Sequence, residues 1–388
     1  MYRDLWGTYP LHAVSETMNS LDQLDWSGAS TPGVWVHAPA FIRNPFQAML
    51  TSRMLEHNLL SVPSTTVANA VELRRKLPTE IPVALHIHWT HPVLHGIHDI
   101  TQARKALSAY LATVQTAKDS GVHIVWTVHN AMPHDVLHEE LEAELQGKLL
   151  DIADLVHVMS PRTRELCQPW FTCDESKVLS IPHPSYHGVY PDWIGRKNAR
   201  RQLGLREGET VFLMFGAIKP YKGLTESIDA INALAVEEPV RLVVAGKADK
   251  SAETDAFTNA ALTNPAVIIR PEHIDPQEVQ VYFRAADIAL LPYRRTLNSG
   301  ALALALTFGL PVVMPSDSGS LPLLSPEFSE TFDAGDSSSL LGALRRSLRL
   351  VSPDARAAAS QAAEAVRLSK VADDFGRAAQ EWIAGRTQ

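Results

Sequence analysis

The chain has 388 residues, of which 20% are charged and 45% belong to the hydrophobic class, and its formal net charge is −8. That length exceeds what one core conveniently organises, so two domains are expected. The acidic balance excludes a nucleic-acid surface, which needs a dominant basic field. Cys167 and Cys173 are the only cysteines; they argue against a disulfide framework and fit a reducing compartment.

Taken from the start, "MYRDLWGTYPLHAVSETMNS" contains no apolar core of signal-peptide length. No later run reaches the roughly 18 apolar residues that span a bilayer. A cytoplasmic protein is expected, with contact to a membrane surface left open. The stretches "GVWVHAP" (33–39), "VALHIHW" (83–89), "HIVWTVHN" (123–130) and "LVHVMS" (155–160) read as buried strands. Between them, "FQAMLTSRMLEHNLL", "ARKALSAYLATVQTAKDSG" and "EELEAELQGKLLDIA" carry helix-period apolar positions, the second ending at Gly121. The first of these offers an apolar-basic face to a bilayer, although packing on a core explains the same pattern.

The alternation then repeats in "TVFLMFGAI" (210–218), "VRLVVAGKA" (240–248), "AVIIRP" (266–271), "DIALLPY" (287–293) and "LPVVMPS" (310–316). Strands alternating with helices imply parallel sheets with helical crossovers, an α/β fold of two doubly wound, Rossmann-like domains facing across a cleft. "SIPHPSYHGVYPDWIGRKNA" lacks periodicity and reads as the connection. The expected domains are 1–190 and 191–365, with a last helix in 366–388 crossing back to the first. Ligands of such sheets sit outside the carboxyl ends of the strands.

Two of those ends suit phosphate. After "TVFLMFG" the chain reads "GAIKPYKGLTESIDAI": Gly216 leaves the strand, Lys219 and Lys222 follow, and a helix begins near Leu224 or Thr225. Cations at a helix mouth reinforce the positive end of its dipole. In "PYRRTLNSGALALALTFGLPVV", Asn298, Ser299 and Gly300 form a second polar helix mouth backed by a buried helix. Taken singly, each is equally an exposed turn or a capped core helix; as a pair in one domain they suit a diphosphate.

Together with "ADIALLPY" and "DSGSLP" downstream, these words make residues 210–320 resemble the donor domain of a GT-B glycosyltransferase. The first half, with "NPFQAMLTSRMLEHNL", "LHIHWTHP" and "WTVHNAMPHD", is similar to bacterial enzymes that build exopolysaccharide and lipid-linked oligosaccharides. The resemblance implies a nucleotide-sugar donor, UDP- or GDP-linked, as substrate, a saccharide or polyprenyl-linked acceptor, and no separate cofactor. It assigns Lys222 to the donor diphosphate with Lys219 as helper, and Ser299 and Gly300 to the distal phosphate. It places "RPEHID" (270–275), Glu272 included, at the base. His129 falls near the transferred sugar, and Asn44 opens a loop where relatives often carry a glycine pair. Where many retaining members have an arginine after the strand-end glycine, this chain has Ala217. Their two glutamates correspond to Thr296 and Leu304, which leaves the stereochemical outcome open.

No D-x-D occurs, so a metal-bridged diphosphate has no obvious ligands. A general base would come from the histidine-rich first half: Asp135 or His91 by position, with His134 behind them. His86 and His88 point to one face of their strand, with His88 nearer the carboxyl end and able to line the acceptor side. Trp89 and Trp126 offer a sugar-stacking wall. A zinc site built on H-x-H-x-x-H lacks a completing carboxylate or cysteine pattern. A non-catalytic GT-B-like subunit supporting a partner enzyme, and a nucleotide-sugar epimerase, are the competing functions; the latter needs donor-side carboxylates that are not found.

Overall fold

The computed structural model describes residues 13–386 apart from 29, 42, 134, 135 and 295. His134 and Asp135 therefore lie outside the described residues. The chain divides into two compact units. The first runs to Pro184 and takes in the chain from Leu368 onward, and the second is Ser185–Arg367.

The first unit holds β1 (Gly33–Ala38), β2 (Leu59–Pro63), β3 (Val83–Ile87), β4 (Val122–Thr127), β5 (Leu155–Val158) and β6 (Val178–Ser180). They pair in parallel in the order β2-β1-β3-β4-β5-β6. Every residue of β1, β3 and β5 is buried, as expected of strands covered by helices on both faces. The second unit holds β7 (Thr210–Phe215), β8 (Val240–Ala245), β9 (Val267–Arg270), β10 (Ile288–Leu290), β11 (Val312–Pro315) and β12 (Ser329–Phe332). Their order, β12-β11-β10-β7-β8-β9, is all parallel and is the dinucleotide-fold order with its reversal between β7 and β10.

The sequence reading departs from this at one stretch. "FQAMLTSRMLEHNLL" is not one helix: Phe46–Thr51 is helical, Met54–His57 is a 3-10 turn, and β2 starts at Leu59. Asn58 makes the change of direction. It takes a left-handed φ of 59°, a conformation asparagine tolerates better than most residues. Its buried side chain is spent on the backbone of Asp25 and Ser30. Phe46, Met49, Leu50 and Met54 are all buried and face the core, while Leu55 is exposed. Strands β2, β6 and β12 were not foreseen; β6 has three residues, and β12, "SETF", carries too few apolar positions to show alternation.

The helix Leu368–Ala384 packs within the first unit on Phe46–Thr51 and the Met54–His57 turn. Phe375 lies 5.8 Å from the Trp35 ring and 5.7 Å from His86. A Cβ at Gly376 would meet the His57 ring at 2.6 Å, so the absence of a side chain there permits the approach.

Candidate functional site

At the β7/β10 reversal the second unit has a small pocket lined by Gly216, Ala217, Lys222, Leu291, Pro292 and Tyr293 among others. Gly216 leaves β7 with φ 104°, and its Cα passes directly beneath the lysine: a Cβ there would lie 3.2 Å from Lys222 Nζ. Burial, aided by the charge of Lys219, pushes the Lys222 ammonium down to about 8. The Tyr293 ring lies 5.6 Å from the same nitrogen. A second glycine makes the strand ends converge. Gly246, after β8, has φ 144°, and a Cβ there would strike the Gly216 carbonyl at 2.1 Å.

The loops that follow β7 and β10 are clamped to each other. Gly223 takes φ 60° with no room for a Cβ, since Pro292 O would be 2.3 Å away. Arg294 donates its backbone N–H to Tyr221 O at 3.1 Å and pairs with Glu226 at 2.8 Å. Each loop opens into a helix, Leu224–Ala235 from the first and Gly300–Thr307 from the second. Ser299 caps the latter, its Oγ accepting the Leu302 N–H at 3.1 Å. First-turn amides of a helix lack intrahelical acceptors, so two mouths held together form a cradle for an anion.

Gly216 and Lys222 are thus brought into one pocket, and Ser299 acts on its lining residue Tyr293. The other expected donor residues are not part of that lining. Lys219 is outside the pocket lining, and its charge acts on Asp249 beyond β8. Asn298 is half-buried, its carbonyl accepting from Thr296 Oγ1 at 3.1 Å. Glu272 is exposed in the loop after the edge strand β9. Leu304 is buried inside its helix, so no carboxylate reaches the pocket from there.

In the first unit the order reverses between β1 and β3, and aromatic rings collect at that end. His91 stacks on Phe41 at 6.0 Å, Phe41 meets Trp89 at 4.8 Å, and Trp89 stacks on His129 at 4.2 Å. His129 Nε2 lies 3.2 Å from His88 Nδ1, while His88 Nε2 is buried without a hydrogen-bond partner among the described residues. Burial, reinforced by neighbouring imidazoles, holds both well below the usual histidine range. Such neutral rings are hydrogen-bond partners for a hydroxyl rather than strong bases. Asn44 is exposed, and its Oδ1 accepts the Phe46 N–H at 3.1 Å, shaping the turn into the short helix. Trp126 is no sugar wall: it is buried against Phe171.

Beneath this end runs a buried relay. Trp35 Nε1–H donates to His86 Nδ1 at 3.1 Å, so His86 carries its proton on Nε2 and donates to Thr127 Oγ1 at 2.6 Å. Thr127 then donates to His157 Nδ1 at 3.0 Å, and His157 Nε2 donates to Ile181 O at 2.9 Å. Every ring nitrogen in it is spent. His86 is therefore unavailable to a metal, and among the described residues no group of three or more His, Cys, Asp or Glu side chains is placed to hold one. Sequence reasoning missed Phe41, Tyr293 and Gln47. The last is buried, bonds the Pro39 carbonyl and the Phe41 N–H, both at 2.9 Å, and so sets Phe41 in place.

Residues 195–382 match the family model of the Glycosyl transferases group 1. The fold matches sucrose-phosphate synthase from Thermosynechococcus elongatus at TM-score 0.69 and 15% identity, over 91% of this chain and 100% of that one. The chain is a GT-B glycosyltransferase. A second fold neighbour of the glycosyltransferase is HepE of Anabaena in complex with UDP, with TM-score 0.65, 14% identity, and 90% and 100% of the two chains covered. Over 308 residues the glycosyltransferase is 25% identical to GDP-mannose:glycolipid 4-beta-D-mannosyltransferase of Xanthomonas campestris pv. campestris, covering 76% of this chain and 80% of the relative. It also matches D-inositol 3-phosphate glycosyltransferase of Corynebacterium glutamicum, at 25% identity over 44% of this chain and 43% of the relative.

Proposed function

We propose that this glycosyltransferase moves a hexose from a GDP- or UDP-linked donor to a saccharide or lipid-linked acceptor, with no metal cofactor in the transfer. The observation that carries the reading is the Lys222 ammonium held over Gly216 at the β7/β10 reversal, beside two clamped helix mouths. As the sugar departs, charge builds on the distal phosphate, and fixed donors aimed at it contribute several kcal/mol of barrier reduction, on the order of 3. His88 and His129 then hold a sugar hydroxyl, and His91 or Asp135 takes the proton of the acceptor. The Xanthomonas relative acts, by its name, on GDP-mannose and a glycolipid, which puts that donor first and favours work at the cytoplasmic membrane periphery. Among the described residues no helix is long and apolar enough to cross a membrane.

The test is titration with GDP, UDP, GDP-mannose and UDP-glucose, followed by turnover with a lipid-linked saccharide. Lys222→Ala is expected to weaken the diphosphates at least tenfold. Absence of binding by every nucleotide, or an indifferent Lys222→Ala, defeats the reading. Binding without transfer or donor hydrolysis instead supports a non-catalytic subunit, the reading that Thr296 and Leu304 in place of two carboxylates favours.

A further inference from the structure

We propose that the Tyr293 hydroxyl donates a hydrogen bond to the distal phosphate of the nucleotide, making it a substrate-contacting residue of the donor pocket; this rests on the function proposed above. Tyr293 follows β10 directly and lines the pocket together with Gly216 and Lys222. It is 6% exposed, so its phenol sits in a largely water-excluded place where a hydrogen bond to an anion counts most.

The surroundings of Ser299 bear on what the phenol has to spare. Ser299 Oγ already accepts the Leu302 N–H that caps the helix. The Ser299 hydroxyl also lies against the Tyr293 phenol and favours its charged form; in the proposed arrangement it gives its hydrogen to the phenol oxygen. A serine has one hydrogen to give. With that hydrogen directed at the phenol oxygen, the phenol's own hydrogen is the free end of a chain running Leu302 N–H, Ser299 O–H, Tyr293 O–H. Such chains polarise in one direction and strengthen toward the anion.

The ring does a second job. It lies 5.6 Å from the Lys222 ammonium, within the range of a cation–π contact. One residue therefore links the lysine of the β7 loop to the cap of the β10 loop, the two elements that bracket the proposed diphosphate. Burial pushes the phenol up to about 12, so it stays protonated and acts as a donor throughout the neutral range. No proton leaves it during transfer: the acceptor oxygen bonds C1 and gives its proton to the base proposed above, the bond from C1 to the phosphate oxygen breaks, the phosphate keeps the electron pair, and the phenol hydrogen-bonds that oxygen.

A hydroxyl that touches only the distal phosphate discriminates diphosphate from monophosphate, which a general loosening of the fold does not. The experiment measures GDP, GMP, UDP and UMP affinity in the wild-type protein and in Tyr293→Phe, Ser299→Ala and the double variant. Tyr293→Phe keeps the ring, its packing and its contact with Lys222. The expected result is a roughly 10- to 100-fold loss for the diphosphate, as for hydrogen bonds to charged groups. The monophosphate should be unchanged, and the loss should persist in the Ser299→Ala background. Equal losses for diphosphate and monophosphate, no loss, or a loss that vanishes without Ser299 overturns the proposal, the last showing that the phenol only supports the cap. Wild-type protein that binds no nucleotide defeats the parent reading and this one together. Normal wild-type binding with an indifferent Tyr293→Phe defeats this one alone.

Discussion

Lys222 is a cation placed where cations are costly, and that cost is what makes it responsive. Its pocket pushes it down to about 8 through burial and the neighbouring charge of Lys219, whereas a bound diphosphate favours the ammonium and raises it again. The sign follows: below about pH 8 the free protein already carries the charge, and nucleotide affinity is flat. Above it, binding must first recover a proton, so the dissociation constant for GDP or UDP should rise by up to about tenfold per pH unit until the pKa of the complex is passed. Calorimetric titrations from pH 7 to 9.5 check this, with Lys222→Ala expected to remove the dependence. A flat wild-type profile would mean that the ammonium is not at the phosphate. Of this site, Gly216, Lys222 and Ser299 were legible in the sequence because each belongs to a local word, a strand end followed by a helix start. Tyr293 was not, because its position depends on β10 lying beside β7 across some seventy residues of intervening chain, and no local pattern records that pairing.

Among elements, the strands of the first unit and the loops at their carboxyl ends are unusual in the histidines they hold. His37, His157 and His183 are each pushed down to about 4 by burial. His86, His88 and His129 are held well below the ordinary value for the same reason. These folded values lie below the unfolded value of about 6.5. Above that pH all six are neutral in both states and their contribution is complete. As pH falls from about 6.5 toward 4, only the unfolded chain takes up protons, and each histidine withdraws roughly 1 kcal/mol per pH unit. Six together exhaust a typical stability of about 5–15 kcal/mol within one or two units. The first unit should therefore unfold between about pH 6 and 5, ahead of the second. All tryptophans except Trp193 fall in its segments, so an early red shift of tryptophan emission is the expected signal, and retention of native emission at pH 4.5 would refute it. The abundance of histidine was visible in the sequence, and so was the shared face of His86 and His88, whose rings stand 4.0 Å apart. The division of labour was not. Whether a strand histidine serves a relay or a ligand depends on which neighbouring strand presents a threonine or a carbonyl, and that register is fixed only by the sheet.

At the scale of the molecule, the chain leaves its first unit and returns to complete it. The returning helix Leu368–Ala384 buries Val371, Phe375, Ala379 and Ile383, a stripe at i+4 spacing that presents one face. The stripe packs over the wall made by Trp35 and His86, and His57 Nε2 bonds Asp373 at 3.0 Å beside it. Three large apolar side chains at about 1.5–3 kcal/mol each supply on the order of 6 kcal/mol, the size of an entire domain's stability. The helix is thus a structural component of the first unit although more than 180 residues of the second unit separate it from the rest. Ending the chain at Arg367 should leave the second unit, with its own six-stranded sheet and core, resistant to protease, while the first is digested. Phe375→Ala gives the graded version. It opens a void against Trp35, His86 and His157 and should cost about 3–5 kcal/mol, read as a lowered denaturation midpoint in tryptophan emission. Because that void adjoins the hydrogen-bonded relay under His88 and His129, the same variant should impair transfer more than it impairs nucleotide binding, which is proposed for the other unit. Equal loss of both would show that the return helix supports the donor pocket instead.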